Sequence, residues 1–467
     1  MIIGRIDEQE ILKDTLDSKS AEFLVVYGRR RIGKTHLIKE YFNDSFSFYF
    51  TGLVKTSMDK HLKIFDDTLK EYGYQKKEKS KDWFDAFRKL KDFIENGDIV
   101  RDPYSNKIVI FLDEAPWMDT ARSDFRSALD YFWNSYASRK DDLVLIVCGS
   151  ATSWIIDNLL SDRGGFYNRV TRKIHLLPFS LKECEEYCRV NGIAFTRKQI
   201  IESYMIFGGI PFYLKLIDKR LSLDQNVDAL LFNEKGQLYH EYDNLLNSLF
   251  VHSEKYAEIL RMLSKNKGGL RRQELSENKK IGNGEGLTKA LNELEQCGFI
   301  RKYQDYTQSK QNHNYQLIDP FMIFSYRFLD ERKYKSWLKY IHTPSYYSWL
   351  GNAFETVCLI HSEKIKDKLR ISGIESNEYS FRTKNVQIDL IIDRKDDVIN
   401  LCEIKYTSEP FRIDEGYNLE LQNKIGELRD NIRKDKAIHM TMISLNGIVH
   451  NEYSHIVINE ITGDDLF

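Results

Sequence analysis

A glycine- and lysine-containing loop near the N-terminus has the side chains and spacing to bind an anion. Residues 28–35 follow the pattern G-x-x-x-x-G-K-T, in which x is any residue. Glycines let backbone N–H groups turn inward around phosphates. Lys34 would reach the β- and γ-phosphates, and the Thr35 hydroxyl would bind Mg²⁺. This pattern predicts a site for ATP and Mg²⁺. The residues predicted to contact the nucleotide here are Gly28, Arg29, Arg30, Arg31, Ile32, Gly33, Lys34, Thr35 and His36.

Acidic and hydroxyl side chains follow two apolar runs farther along the chain. Asp113 and Glu114 come directly after the run at 108–112 and have the Walker B form. Asp113 would hold Mg²⁺ through water, and Glu114 would polarise the attacking water. Ser150 follows a later apolar run and is predicted to sense the γ-phosphate. Thr152 is the second choice for that role, and a helix N-cap is the alternative reading of the turn.

Three charged residues near the C-terminus are also spaced for chemistry. Two strand-like runs, 386–392 and 398–406, flank a polar turn. A hairpin formed by them would place Asp389 opposite Glu403, with Lys405 projecting from the same face. Two carboxylates can hold Mg²⁺, and a lysine can orient or deprotonate water. A solvated cross-strand charge pair is the alternative.

The elements that must position these residues change in character along the chain. Up to about residue 180, short buried strands separated by helices predict an α/β parallel sheet. Residues 181–246 have helical periodicity with one interruption at 208–211. Residues 253–329 show three helices and then a β-hairpin, which is the order of a winged helix-turn-helix. The predicted strands of the first segment are 23–27, 46–50, 108–112, 143–148 and 174–177, and those of the last are 386–392, 398–406, 437–444 and 455–461.

Composition excludes some classes of partner and compartment. Lys plus Arg number 69 against 70 for Asp plus Glu, so any contact with nucleic acid must come from a local patch. No apolar stretch approaches the ~18 residues of a membrane span, and the N-terminus turns charged at once. The six cysteines form no CxxC pair and are predicted to be buried free thiols. These features predict a cytoplasmic protein without a membrane partner.

Several short motifs point to one protein family when they are taken together. They are Ile3-Gly4-Arg5 with Glu8, and residues 27–35, 112–114, 148–150 and 208–211. Together they resemble the archaeal-type ATPases, which belong to the STAND branch of the AAA+ P-loop proteins and are similar to origin-recognition ATPases. The resemblance covers nearly the whole chain and implies a helical lid, a winged helix and a C-terminal nuclease-like domain.

The same resemblance implies places for residues outside the loop. It places Gly4 and Arg5 near the adenine, and the element Gly209-Ile210-Pro211 near the base or the phosphates. A plain helix break is the alternative for that element. AAA+ relatives commonly use an arginine that acts on the nucleotide of a neighbouring copy, which implies a homo-oligomer. Arg163 and Arg169 precede the last strand of the first segment, and Arg169 is favoured; an ordinary surface arginine is the alternative.

The charged residues of the last segment resemble the PD-(D/E)xK nuclease superfamily. Asp389 matches the D, and Glu403-Ile404-Lys405 matches ExK. The superfamily often has a glutamate on a preceding helix, and Glu355 fits that position as a metal ligand beside Asp389 and Glu403. Ile388 stands where the motif has proline. A fold kept without nuclease activity is the alternative.

The predicted winged helix keeps its basic residues away from the helix that would enter a DNA groove. That helix, 285–296, carries three glutamates and one lysine, which is unfavourable beside phosphates. Basic pairs lie at 271–272, 279–280 and 301–302, with Lys310 on the wing. DNA contact through these residues is one hypothesis, and a structural or protein-contact role is the other.

The sequence therefore predicts a multidomain fold with an α/β P-loop NTPase domain, a helical lid, a winged helix and a C-terminal α/β restriction-endonuclease-like domain. The predicted boundaries are 1–180, 181–246, 247–330 and 331–467. The predicted function is binding and hydrolysis of ATP with Mg²⁺, which controls a Mg²⁺-dependent nuclease-like domain acting on DNA. The alternative is an ATP-driven switch, or a DNA-binding protein, whose nuclease-like domain is inactive and binds a partner.

Overall fold

The chain forms two compact units, Met1–Leu177 and Pro178–Phe467. The computed structural model describes residues 1–76, 78–161, 166, 168–250, 252–306, 313–330, 332–432 and 435–467. The predicted boundary at 180 falls close to the division between the units. The three predicted segments that follow it share the second unit, and their separation into three domains stays a prediction.

Five parallel strands form the sheet of the first unit. They are β1 Glu22–Tyr27, β2 Phe48–Thr51, β3 Ile108–Asp113, β4 Leu143–Gly149 and β5 Arg172–His175, in the order β2-β3-β4-β1-β5. The helices are α1 Ile6–Asp17, α2 Lys34–Tyr41, α3 Met58–Glu71, α4 Trp83–Asn96, α5 Phe125–Ser135 and α6 Thr152–Ile155. β1, β3 and β4 are buried along their whole length, as their apolar runs require. The predicted parallel sheet is confirmed, although β5 begins and ends two residues earlier than expected.

The register of this sheet brings the ends of three strands to one edge. Tyr27 at the end of β1 pairs with Gly149 at the end of β4, and Leu112 of β3 pairs with Val147 of β4. Since parallel strands place their carboxyl ends at the same edge, the segments that follow β1, β3 and β4 meet there.

The second unit begins with a group of helices, as predicted for 181–246. They are α7 Leu181–Asn191, α8 Arg197–Phe207, α9 Pro211–Leu214, α10 Leu223–Val227 and α11 Glu241–Leu249. Ser180 and Thr196 start α7 and α8 with capping boxes. The helix break predicted from sequence is present: Gly208 ends α8 with a φ of 65°, and Pro211 is the first residue of α9.

Three helices and a β-hairpin follow in the predicted order. They are α12 Ser253–Ser264, β6 Leu270–Arg271, α13 Arg272–Ser276, α14 Glu285–Gln296, β7 Ile300–Asp305 and β8 His313–Leu317. β7 and β8 pair antiparallel from Ile300↔Leu317 to Gln304↔His313. Lys310, predicted on the wing, lies outside the described residues, and the winged-helix assignment stays a prediction.

The rest of the chain alternates helices and strands. It contains α15 Pro320–Phe324, α16 Pro344–Ile360, α17 Ser362–Lys368, β9 Ser376–Arg382, β10 Gln387–Arg394, β11 Val398–Lys405, β12 Phe411–Arg412, α18 Glu415–Asn431, β13 Ala437–Ser444, β14 Ile448–Val449 and β15 Asn459–Thr462. β10, β11 and β13 confirm the predicted strands, while the fourth predicted strand is shorter and starts at Asn459. β9 was not predicted, because its sequence SNEYSFR has no apolar run.

The hairpin and the C-terminal strands belong to one sheet of eight strands. Its order is β15-β13-β11-β10-β9-β7-β8-β6. β7 and β9 make the connection through a parallel pairing of Gln304 with Tyr379 and Asp305 with Ser380. The β10–β11 register is the predicted one from Leu390↔Cys402 onward. It stops short of Asp389, where the pairing of β10 with β9 is irregular.

All six cysteines are buried and free, as predicted. Across the described residues, no helix combines the length and the apolarity that crossing a membrane requires.

Candidate active site

The loop between β1 and α2 depends on two glycines. Gly28 has a φ of 141°, and a Cβ there would lie 2.2 Å from the Leu176 carbonyl oxygen and 2.7 Å from Ile32 Cδ1. Gly33 precedes α2 with a φ of 91°, a conformation that side chains disfavour. The glycines of the G-x-x-x-x-G pattern therefore shape the loop as the sequence predicted.

Lys34 is the first residue of α2 and is buried against the loop. Its Nζ donates hydrogen bonds to the carbonyl oxygens of Gly28, at 2.9 Å, and Arg29, at 3.0 Å. The ammonium group is thus held over the loop backbone, where a bound phosphate could replace the carbonyl oxygens as its partner.

A hydroxyl and a carboxylate meet where β3 ends. Thr35 Oγ1 donates to Asp113 Oδ2 at 2.9 Å. Burial raises the pKa of Asp113, and the Thr35 hydrogen bond offsets only part of that rise. A buried carboxylate beside a hydroxyl fits a Mg²⁺ ion, because the cation would stabilise the charged carboxylate and both oxygens are hard ligands. Thr35 and Asp113 are therefore the residues that would hold Mg²⁺ here.

Glu114 contacts the residue predicted to sense the γ-phosphate. Its Oε2 accepts hydrogen bonds from Ser150 N at 3.2 Å and from Ser150 Oγ at 2.9 Å. The backbone of Glu114 is left-handed, with a φ of 48°, which turns the chain sharply after β3. The structure brings together Glu114 and Ser150 from the ends of two adjacent strands. The Glu114 carboxylate accepts hydrogen bonds from both the backbone N–H and the hydroxyl of Ser150.

The N-terminal segment is tied to the same loop by Arg5. Its guanidinium is buried and donates to the Leu177 carbonyl at 2.7 Å and the Ile32 carbonyl at 3.5 Å. Gly4 precedes it with a φ of 60°. The contact with Ile32 places the Gly4-Arg5 segment against the nucleotide loop, while its predicted contact with adenine stays a prediction.

The other residues predicted for this site differ in exposure. Arg30 and His36 are exposed, while Arg29 and Ile32 are buried and Arg31 has a left-handed backbone. His36 lies 4.0 Å from Glu40.

Of the two arginines predicted to act on the nucleotide of a neighbouring copy, the structure describes only Arg169. Arg169 forms an ion pair with Asp130 of its own chain, so a role on a neighbouring copy requires that this pair open. Arg163 lies outside the described residues. Pro211 begins α9, and its approach to a nucleotide stays a prediction.

A family comparison covers the residues of this site. Residues 3–217 match the profile of an ATPase domain predominantly from Archaea. The protein is an ATPase. The matched range of this ATPase covers the first unit from Ile3 onward and continues into the helices that follow it, including the break at 208–211.

Whole-chain comparisons give more distant similarities to this ATPase. It is 27% identical over 343 residues to an uncharacterised protein of Methanocaldococcus jannaschii, which covers 70% of this chain and 69% of that one. A Walker-type ATPase of Pyrococcus abyssi has a TM-score of 0.47 and 18% identity, over 70% of this chain and 96% of its own. A RuvB mutant of Thermotoga maritima has a TM-score of 0.35 and 12% identity, over 67% and 92%.

A second group of charged residues lines a polar cavity of about 350 Å³ in the second unit of the ATPase. Glu355 of α16 and Asp389 of β10 both line it. Burial, followed by the charge of Asp389, raises the pKa of Glu355 to about 8. Gln387 Nε2 donates to Asp389 Oδ1 at 2.8 Å. A divalent cation bound between these carboxylates would stabilise their charged forms and offset the repulsion between them.

Glu403 is buried beside β10 but its oxygens are engaged elsewhere. Oε2 lies 2.7 Å from Lys424 Nζ, while Oε1 lies 3.1 Å from Lys405 Nζ and 2.6 Å from Tyr417 OH. Burial raises the pKa of Glu403, but the charges of Lys424 and Lys405 outweigh it and the net pKa is lowered. The structure thus joins Glu403 to Lys405, as predicted, and gives it two cationic partners.

The acids predicted to bind metal therefore fall into two groups. Glu355 and Asp389 share the cavity, and Glu403 makes its direct contacts with cations and a phenol. Within the described ranges, no set of three His, Cys, Asp or Glu side chains is arranged to hold a metal ion. Sequence reasoning missed Lys424 and Tyr417, although their seven-residue spacing on one helix face could have indicated a shared partner.

Proposed function

We propose that ATP bound to the first unit controls the C-terminal polar cavity, which acts as a Mg²⁺-dependent nuclease site on DNA. ATP hydrolysis is the established part, and the nuclease and its control are the proposal. The observation that carries it is that Glu355, which is partly buried, and Asp389 line one cavity. Two such carboxylates would hold the cation that activates water and neutralises a phosphodiester.

A physical connection between the helical segment and the cavity supports control by ATP. α8 packs against α16, the helix that carries Glu355. Tyr406 OH, just after β11, donates to Glu202 Oε1 of α8 at 2.6 Å, and the Leu181 N–H at the start of α7 donates to His361 Nε2 at 3.1 Å. A shift of these helices on ATP binding would therefore reach the elements that position the cavity carboxylates.

The second candidate is an ATP-driven switch whose C-terminal domain binds a partner without cutting it. The hydrogen bonds and ion pairs on Glu403 favour this candidate. A carboxylate already neutralised by Lys405 and Lys424 is a weak metal ligand unless one of these pairs opens.

Cleavage by the purified full-length chain separates the two candidates. We would incubate it with Mg²⁺, ATP and single- and double-stranded DNA and RNA. The nuclease proposal expects Mg²⁺-dependent cutting of DNA that is lost in Asp389→Ala and in Lys405→Ala, with ATP hydrolysis intact. Lys395→Ala is the matched control, because Lys395 is exposed and pairs only with exposed Glu375 among the described residues.

The cleavage results distinguish the nuclease from the switch. Cutting that survives both substitutions would contradict the nuclease proposal. ATP hydrolysis without any cutting by the unsubstituted chain would favour the switch.

A further inference from the structure

A cation from the β-hairpin lines the same cavity as Glu355 and Asp389. Arg301 projects from β7, and its charge interacts with both carboxylates. Its Nε donates to Gln316 Oε1 at 2.7 Å, and Gln316 Nε2 in turn donates to the Lys267 carbonyl at 2.7 Å. This chain of hydrogen bonds fixes one side of the guanidinium within the hairpin.

In the described part of the chain, Arg301 uses few of its hydrogen-bond donors. There it makes one hydrogen bond, through Nε, and no ion pair, although a guanidinium has five N–H donors. It also contacts the ring of Tyr303, whose centroid lies 4.7 Å from Cζ and which supplies no anion. It is largely enclosed, and burial lowers its pKa. An enclosed cation without a direct anionic partner is costly, and a bound anion would offset that cost.

Two further cations stand at the mouth of the cavity. Lys267 and Arg382 line it and are exposed. Arg382 Nη2 donates to Gln387 Oε1 at 2.8 Å, and Gln387 is the residue that donates to Asp389. The arginine also lies against Gly268, where a Cβ would come within 2.7 Å of Nη1. Basic and acidic side chains are thus linked across one opening.

We propose that this cavity binds a phosphodiester group of a nucleic-acid strand, with Arg301 as its phosphate contact and Lys267 and Arg382 at the entrance. The inference rests on the proposed function and adds a residue of the hairpin to that site. A cation–phosphate pair carries both signs of charge, so carboxylates take the cation and arginine takes the phosphate. The volume is at the lower end for ligand pockets, which suits one nucleotide-sized group of a strand. The other charged residues that line the cavity are Arg271, Glu274 and Asp305.

Binding of a fluorescent single-stranded DNA oligonucleotide to the full-length chain tests the inference without requiring cleavage. Affinity would be measured by anisotropy in Ca²⁺ over a range of salt. Arg301→Gln is expected to weaken binding by about tenfold or more and to reduce the salt slope by about one phosphate contact. Arg301→Lys keeps the charge and should recover part of the affinity. Lys302→Gln is the matched control, because Lys302 is the next residue of β7 and points to the opposite face.

The outcomes separate this inference from the nuclease proposal. Affinity lost in Arg301→Gln but kept in Lys302→Gln supports the inference even if the chain never cuts DNA. Equal affinity of Arg301→Gln and the unsubstituted chain, or equal losses in both variants, would overturn it even if the chain is a nuclease. Absence of oligonucleotide binding, or a site that inorganic phosphate alone fills as tightly, would also overturn it. Should Arg301→Gln fail to fold, Lys267→Ala replaces it, because that exposed side chain can be removed without opening the core.

Discussion

At the scale of single residues, the polar side chains of the nucleotide site are held by hydrogen bonds within the site. Lys34 is bonded to loop carbonyls, Thr35 to Asp113, and Ser150 to Glu114. ATP and Mg²⁺ would have to exchange these contacts for their own. These contacts hold the side chains in place before the nucleotide binds, so binding requires little further ordering of them.

Lys34 and Glu114 are expected to fail in different ways when substituted. Lys34→Ala should abolish ATP binding or hydrolysis, because the backbone of the loop alone cannot neutralise the triphosphate. Glu114→Gln should still bind ATP but hydrolyse it at least about a hundredfold more slowly, since only the water-polarising group is lost. Nucleotide binding by calorimetry and phosphate release would be measured on both. Hydrolysis by Glu114→Gln at the unsubstituted rate would show that Glu114 is not the base.

Local spacing made part of this site predictable and left another part out of reach. The loop at 28–35 could be predicted because a contiguous pattern encodes it, and the strand-end acids because the sheet edge collects them. The partners of Glu403 and the position of Arg301 depend on contacts between distant segments. The spacing of Tyr417 and Lys424 places them on one helix face, but no pattern in that segment indicates that their partner is Glu403. No local pattern indicates that Arg301 shares a cavity with Glu355 either.

At the scale of elements, apolar runs in the sequence predicted the buried strands, but the polar strand β9 was not predicted. β1, β3 and β4 are buried on both faces, so their composition alone identified them. β9 is partly exposed and polar, and it is defined by its pairing with β10 and β7 rather than by its own sequence. Because β9 is the link between hairpin and C-terminal strands, the continuous eight-stranded sheet could not be predicted either.

His361 joins two elements in a way that should depend on pH. It follows α16, accepts a hydrogen bond from the Leu181 N–H at Nε2, and has Nδ1 2.9 Å from the Val357 carbonyl. Burial, aided by the nearby charge of Lys364, lowers the pKa of His361 to about 4, although the hydrogen bond with the Val357 carbonyl acts in the opposite direction. The folded-state pKa lies below the unfolded value, so this stability is present above about pH 6.5 and is lost as pH falls toward 4.

Denaturation at pH 7 and pH 4.5 measures that loss. Between pH 7 and pH 4.5, the free energy of unfolding of the unsubstituted chain should fall by up to about 3 kcal/mol more than that of His361→Gln, whose amide does not titrate. His450→Gln is the control, because His450 is exposed. Parallel pH profiles for the chain and His361→Gln would contradict this role of His361.

At the scale of the whole molecule, the helical segment is the element expected to report nucleotide binding. Its break at 208–211 was predicted to approach the nucleotide, and its helix α8 packs on α16 within the second unit. ATP should therefore alter amide exchange in residues 181–246 and in α16. Hydrogen exchange with and without ATP measures this, with Lys34→Ala as the control that should not respond. No change in 181–246 on ATP binding would remove the helical segment from the coupling.

Control of the C-terminal site by ATP is tested most directly by the rate at which Glu114→Gln cleaves DNA with and without ATP. This variant should bind ATP and retain it, so it separates the effect of bound nucleotide from that of hydrolysis. We predict that ATP changes its cleavage rate by about fivefold or more, the range of typical coupling between sites, and that Lys34→Ala shows no such response. Equal cleavage rates with and without ATP in a Glu114→Gln protein that binds the nucleotide would contradict control of the site by ATP.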